Sequence, residues 1–204
     1  YRHRLGTPQS EDQPVYAAPR ADCVIIPHAA ETGSTLVVHQ TCGGTETTVL
    51  TVAPSGETAI AAAGGAAYTY AGNSGDVFYW STSENAPNWK VVSLQVDGGR
   101  PRWTTLIPED TLPIFAWGGG LGVDLIGSTL VVAYQRHAVA YVRAFDLQGR
   151  HVRDIELPAL GSIWTGFVGD ASSDIAFYSI SGVETPGTVY RLDVGTGVST
   201  LWSK

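Results

Sequence analysis

The side chains able to do covalent chemistry are few and scattered. A serine nucleophile on a strand-to-helix turn needs the pattern G-x-S-x-G. No serine has glycine at both −2 and +2: Ser74 follows Gly72 but precedes Asp76, and Ser199 follows Gly197 but precedes Leu201. Without a nucleophile, His3, His28, His39, His137 and His151 have nothing to activate as general bases. A triad is defined by geometry, so one assembled from distant residues stays open in principle. The histidines show neither HxH nor HExxH spacing, and Cys23 and Cys42 form no CxxC, so no metal site is expected. Those two cysteines are expected as reduced thiols; a single bridge requires adjacent strands to bring them together. Glu109-Asp110 is the densest acidic pair, but neighbours on a strand point to opposite faces, so a solvated turn is expected rather than paired acid–base catalysis. Gly118-Gly119-Gly120-Leu121-Gly122 lacks the Lys-Ser/Thr of a phosphate loop and reads as a wide turn or a close backbone approach. No catalytic residue, cofactor or metal is assigned to this chain.

Composition narrows the partners. Twelve Lys and Arg against nineteen Asp and Glu give a net charge of −7, which repels phosphate backbones, so nucleic acid is not an expected partner. No basic amphipathic segment marks a membrane surface, and no apolar run reaches the length of a membrane helix. Hydrophobic residues make up 44% of the 204 positions and charged residues only 15%, enough for a real core and too aromatic for disorder. The chain has no methionine and opens at Tyr1-Arg2-His3-Arg4-Leu5, which reads as the middle of a strand. Either the segment comes from within a longer protein or modified methionines are not written in it.

With 24 Gly and 11 Pro, the chain favours turns and strands. Strands are predicted at 35–40, 77–82, 89–96, 129–134, 140–147, 175–180 and 188–194. The Ala-rich stretch 59–67 is cut by Gly64-Gly65 and is not assigned as a helix. One alternating strand recurs as Tyr1–Leu5, Val49–Val52, Val91–Val96, Tyr141–Leu147 and Val189–Val194, at intervals of 44 to 51 residues. A four-stranded unit at that period is the signature of a β-propeller blade. The fold class is therefore all-β: about four four-stranded antiparallel blades plus two leading strands. The divisions are 1–18 (partial), 19–63, 64–111, 112–160 and 161–204. Tyr79, Trp80, Trp89 and Trp103 fall in one repeat and are expected to pack between blades. Four blades could close a tight ring, but the opening in mid-blade favours an arc of a larger one. Such an arc, on its own, is expected to dimerise, aggregate or depend on the rest of its protein.

Several segments then resemble one family in order along the chain. Tyr1-Arg2-His3-Arg4-Leu5-Gly6-Thr7-Pro8-Gln9-Ser10-Glu11-Asp12 resembles the YxHxLGTxQSED segment of the prolyl oligopeptidase propeller. Asn85-Ala86-Pro87-Asn88-Trp89-Lys90, Trp103-Thr104-Thr105-Leu106-Ile107-Pro108-Glu109 and Leu157-Pro158-Ala159-Leu160-Gly161-Ser162 resemble further stretches of it. So do Asp146-Leu147-Gln148-Gly149 and Pro186-Gly187-Thr188-Val189-Tyr190-Arg191-Leu192-Asp193.

The resemblance implies the later part of a seven-bladed propeller joined, in the same protein, to an α/β-hydrolase catalytic domain. That protein would be a serine peptidase cutting short peptides after proline, with the propeller covering the active site. The resemblance favours a cytoplasmic location. In the family a loop after a second strand supplies Arg and often Cys to the substrate. Here the corresponding stretch, 38–45, lacks the Arg, which leaves Gln40 and Cys42 as the residues expected to border the cavity. A family His-Asp pair is replaced by Arg136-His137, with no acid following. The rival reading is an independent propeller that binds protein or carbohydrate.

Overall fold

The computed structural model describes residues 1–30, 35–44, 46–114, 122–163, 165–183 and 186–203. They form four sheets, each of four antiparallel strands in simple meander order. The first holds β1 (Cys23–Ala29), β2 (Leu36–Cys42), β3 (Glu46–Val52) and β4 (Thr58–Ala63). The second holds β5 (Tyr68–Ser74), β6 (Val77–Thr82), β7 (Lys90–Asp97) and β8 (Arg100–Ile107). The third holds β9 (Val123–Ile126), β10 (Thr129–Arg136), β11 (Val139–Phe145) and β12 (His151–Ile155). The fourth holds β13 (Ser162–Ile163), β14 (Ile175–Ser181), β15 (Thr188–Asp193) and β16 (Val198–Ser203).

The sheets stack face to face, and side-chain alternation divides each middle strand between two cores. On β10, Leu130, Val132 and Tyr134 join the core shared with the second sheet. Val131 and Ala133, one step along, join the core shared with the fourth. On β6, Phe78 and Trp80 face the first sheet while Tyr79 faces the third. Strands buried on both faces therefore read as unbroken apolar runs. β14, which covers only one neighbour, alternates between buried Ala176, Tyr178 and Ile180 and partly exposed positions. Each fully buried Val, Leu or Phe contributes ~1.5–3 kcal/mol, so these three shared cores hold the stack.

Corresponding strands of successive sheets lie side by side. Trp103 on β8 donates its indole N–H to the Ala61 carbonyl on β4, 2.8 Å away. Trp80, Trp103 and Tyr79 pack between sheets, and Trp89 lies against the core between the second and third. Gly72 on β5 sits at a bulge with φ +145°, and a Cβ there would fall 2.6 Å from the Leu125 side chain on β9. Only glycine permits that approach.

Three expectations are corrected. The copies of the alternating strand at 49–52, 91–96, 141–147 and 189–194 map onto β3, β7, β11 and β15, the third strand of each sheet. Tyr1–Leu5 does not: no leading pair of strands forms over 1–18. That stretch has a 3-10 turn at Gln9–Glu11 and a single bridge between Arg2 and Gln13, with Leu5 exposed. Among the described residues no third strand pairs with that bridge. Second, residues 38–42, taken as part of a loop, are the end of β2. Only Gly43, Gly44 and Thr45 connect to β3, and Thr45 lies outside the described residues. Third, the cysteines are not reduced thiols. Cys23 and Cys42 are direct partners in the β1–β2 register and form a disulfide. The Gly118–Leu121 part of the glycine-rich run lies outside the described residues.

Two outcomes follow from this packing. Gly72→Ala is expected to lower unfolding stability by about 2 kcal/mol in denaturant titration, through overpacking and the positive φ. Reducing the Cys23–Cys42 bridge, which closes a loop of sequence separation 19, is expected to cost about 3 kcal/mol. A Cys23→Ser/Cys42→Ser variant should show the same loss and no further response to reductant.

Candidate functional site

Because the strands alternate in direction, the hairpins after β2, β6, β10 and β14 come to the same end of the stack as the connections between sheets. This rim carries the residues singled out by sequence, and its bonding decides what they can do.

Gln40 and Cys42 stand on β2 with Val38, whose side chain belongs to the small core on the free face of the first sheet. Gln40 is buried, and its Oε1 accepts a hydrogen bond from the Tyr16 hydroxyl at 2.8 Å. Val15 and Tyr16 cover that face. The Cys42 sulfur is taken up by Cys23, so it presents no thiol. Beside the turn, Arg20 and Asp22 form a bidentate pair, with Nε to Oδ1 at 2.9 Å and Nη2 to Oδ2 at 2.8 Å. That pair holds the exposed Asp22 carboxyl below its usual range.

The acidic pair braces the rim. Glu109 accepts the Asn88 backbone N–H, and the Asn88 side-chain amide donates to the Asp110 carbonyl at 3.0 Å. The Asn88 carbonyl in turn accepts the Ile114 N–H. Asp110 Oδ1 accepts the Leu112 N–H, and its Oδ2 accepts from Arg143 Nη1 at 2.7 Å. The Leu112 bond first, and the guanidinium second, hold the Asp110 carboxyl down. Arg143 lies 4.8 Å over the Tyr134 ring, whose hydroxyl burial pushes up to about 12. The two carboxylates thus serve different partners and do not converge on a common point. Farther along, the Gln135 amide donates to the Ser162 hydroxyl, which donates to the Ala138 carbonyl, joining the third sheet to the fourth. His137 and Ala138 both have positive φ, 50° and 61°, and make the tight two-residue turn between β10 and β11. No sequence signal separated Arg143 from other arginines; its role depends on the inter-sheet connection that carries Asp110.

Among the described residues no hydrogen bond joins a histidine to a serine. His3 meets Asp12 at 2.7 Å and His151 meets Asp154 at 3.0 Å, both exposed pairs. The Ser199 hydroxyl accepts from Tyr178 at 2.7 Å. No three His, Cys, Asp or Glu side chains among the described residues are grouped to hold a metal ion. Asp124 is the titratable group that sequence reading missed. It lies on β9, largely enclosed against the fourth sheet, and its Oδ2 accepts the Phe167 N–H at 2.9 Å. Burial pushes its pKa up to about 7, against the pull of that bond. Its signal was a lone acid in the apolar run Val123-Asp124-Leu125-Ile126. Among the described residues the rim is a braced surface with no assembled nucleophile.

The comparisons with known proteins agree with this architecture. The model of the prolyl oligopeptidase N-terminal β-propeller domain matches residues 1–204. A prolyl endopeptidase of Elizabethkingia miricola is 28% identical over 131 residues, which is 64% of this chain and 17% of that protein. Prolyl oligopeptidase A of Amanita bisporigera is 22% identical over 213 residues, covering 100% of this chain and 27% of its own length. A solved prolyl endopeptidase superposes with a TM-score of 0.81 at 30% identity, over 99% of this chain and 30% of that one. Prolyl oligopeptidase B of Galerina marginata, at 21% identity and a TM-score of 0.74, shares the fold over 98% of this chain and 29% of its own. The chain therefore spans less than a third of the length of each of these relatives. Four stacked meander sheets with an end-to-end family match establish that the chain belongs to the prolyl oligopeptidase family, as sequence of its N-terminal β-propeller domain.

Proposed function

We propose that this chain supplies four blades of a seven-bladed cover over the active site of a serine peptidase that cuts peptides after proline. The nucleophile and its base would reside on an α/β-hydrolase domain of the same protein. The observation that carries this reading is the family match over the whole chain, together with a rim built from bonds between sheets rather than from reactive groups. A stack of packed sheets is too stiff to part for a folded protein, whereas a short extended peptide needs only a narrow opening. A closed cover also excludes water from the chemistry behind it. In this role the end of β2, with Gln40 tied to Tyr16 and Cys42 tied to Cys23, borders the cavity as a fixed wall. The disulfide favours an oxidising compartment over the cytoplasmic location that resemblance suggested.

The test is a size ratio in the full-length protein. Trp103→Phe removes the indole bond to Ala61 that ties the second sheet to the first. Relative to the unaltered protein, kcat/KM for a long proline-containing peptide should rise against that for a short one. Hydrolysis of the short peptide should change little. A ratio that stays constant while thermal stability drops would remove the gating role and leave the propeller a passive support.

A further inference from the structure

The joint between the first and second sheets contains a group that neither the gating role nor the rim uses. His28 on β1 and His39 on β2 occupy diagonal positions in the β1–β2 register, where Ile26 faces His39 and His28 faces Val37. Both imidazoles point at the second sheet. His28 stacks on Tyr70 with ring centroids 3.7 Å apart and meets Trp80 edge-on at 5.5 Å. His39 meets Trp80 edge-on at 5.6 Å. Trp80 is fully buried between them. The Nε2 atoms of both histidines and the Trp80 Nε1 are buried without a hydrogen-bond partner.

We propose that this joint is an acid-opened hinge, in which protonation of His28 and His39 parts the first sheet from Trp80 and the second. A proton added at Nε2 of either half-buried ring creates a second N–H donor at a buried atom that has no hydrogen-bond partner, and two protons place like charges at diagonal positions against an aromatic layer. Among the described residues no carboxylate acts on either ring. The second sheet turns Tyr68, Tyr70, Phe78, Trp80, Val92 and Leu94 toward the joint. The ionisable groups among these described residues are tyrosines, which carry no charge at acid or neutral pH. On its own sheet the pair is flanked by Ala30, Val37 and Val49. Glu84, on the connection after β6, acts on Tyr68 and is not among the causes that shift either imidazole.

Burial, with the neighbouring His39 as a smaller cause, lowers His28 to about 4, and burial lowers His39 as well. An opened joint returns both rings toward their ordinary value of 6.5. Between those limits the open form binds more protons than the closed one, so closure is complete above pH 6.5 and is lost as pH falls toward 4. For His28 the opening equilibrium shifts by about tenfold per pH unit in that window, and His39 adds to it in the same direction. The disulfide keeps β1 and β2 together, so the break falls between sheets and not within the first.

The proposal does not rest on the gate, and its test reads the hinge directly. Hydrogen exchange, corrected for intrinsic rate, is measured on the full chain at pH 7.5 and pH 4.5. Protection in β1, β2 and β6 should fall at least tenfold relative to β10 and β11. The doubly substituted His28→Phe/His39→Phe protein should lose that difference, and His39→Gln alone should reduce the pH slope. Equal loss in all sheets, or an undiminished loss in the double variant, would overturn it. Should the double variant not fold, NMR titration of the two imidazoles in the full-length protein decides: both midpoints are expected below the ordinary 6.5, and a midpoint at or above 6.5 for either ring sinks the hinge.

Discussion

A small twisted sheet with two apolar faces cannot bury both against itself, and everything else in this chain answers to that constraint. The middle sheets solve it by sharing each face with a neighbour. Tyr79 and Trp80 are adjacent in sequence and yet belong to different cores, as do Leu130 and Val131. Sharing has a geometric condition: the sheets must approach closely at matching strands. Gly72 meets that condition against Leu125, and the Trp103 indole bond fixes the spacing at the fourth strands. The first sheet has only Val15 and Tyr16 on its free face. On the fourth sheet Val198, Leu201 and Trp202 remain exposed.

The same constraint explains why the rim holds salt bridges and amides instead of reactive groups. Stacked cores fix sheets against sliding only weakly, because apolar contact has no direction. Directional bonds at the rim supply the register. Asp110 reaches from the connection after β8 to Arg143 on β11, and Gln135 reaches from β10 to Ser162 on β13. Each joins two sheets. A carboxylate held down by the Leu112 N–H and a guanidinium is a poor base and a good brace. This division of labour suits the proposed cover, in which stiffness would be the function and chemistry would be left to another domain.

How much of this the sequence disclosed depended on where a strand lies within its sheet. All eight central strands, the second and third of each sheet, overlap segments legible from alternation and β-branched content. The first and fourth strands were not located individually. β9 has four residues and β13 two, too short for a period to emerge. β8 opens Arg100-Pro101-Arg102, since a strand with one open edge tolerates charge and proline that a central strand does not. The repeat survived because third strands sit between two neighbours in every sheet. Tyr1–Leu5 has the same pattern but lacks such neighbours, so pattern without partners gave no strand. The cysteines were misread for a related reason. Their pairing depends on β1, the strand that periodicity did not reveal. Gln40 was picked from a family position, whereas its hydrogen bond comes from Tyr16, twenty-four residues away.

Buried ionisable groups give the joints opposite responses to acidity. Between the first and second sheets, His28 and His39 are accommodated neutral, so acid works against closure there. Between the third and fourth, Asp124 is accommodated protonated. Its pKa is raised from 3.8 to about 7, so that joint is tightest below pH 4 and loses the contribution as pH rises through 7. The two demands cannot both be met in full, because the histidines want a proton-poor medium and the aspartate a proton-rich one. Rising pH therefore favours closure at the joint of the first and second sheets and removes Asp124's contribution between the third and fourth.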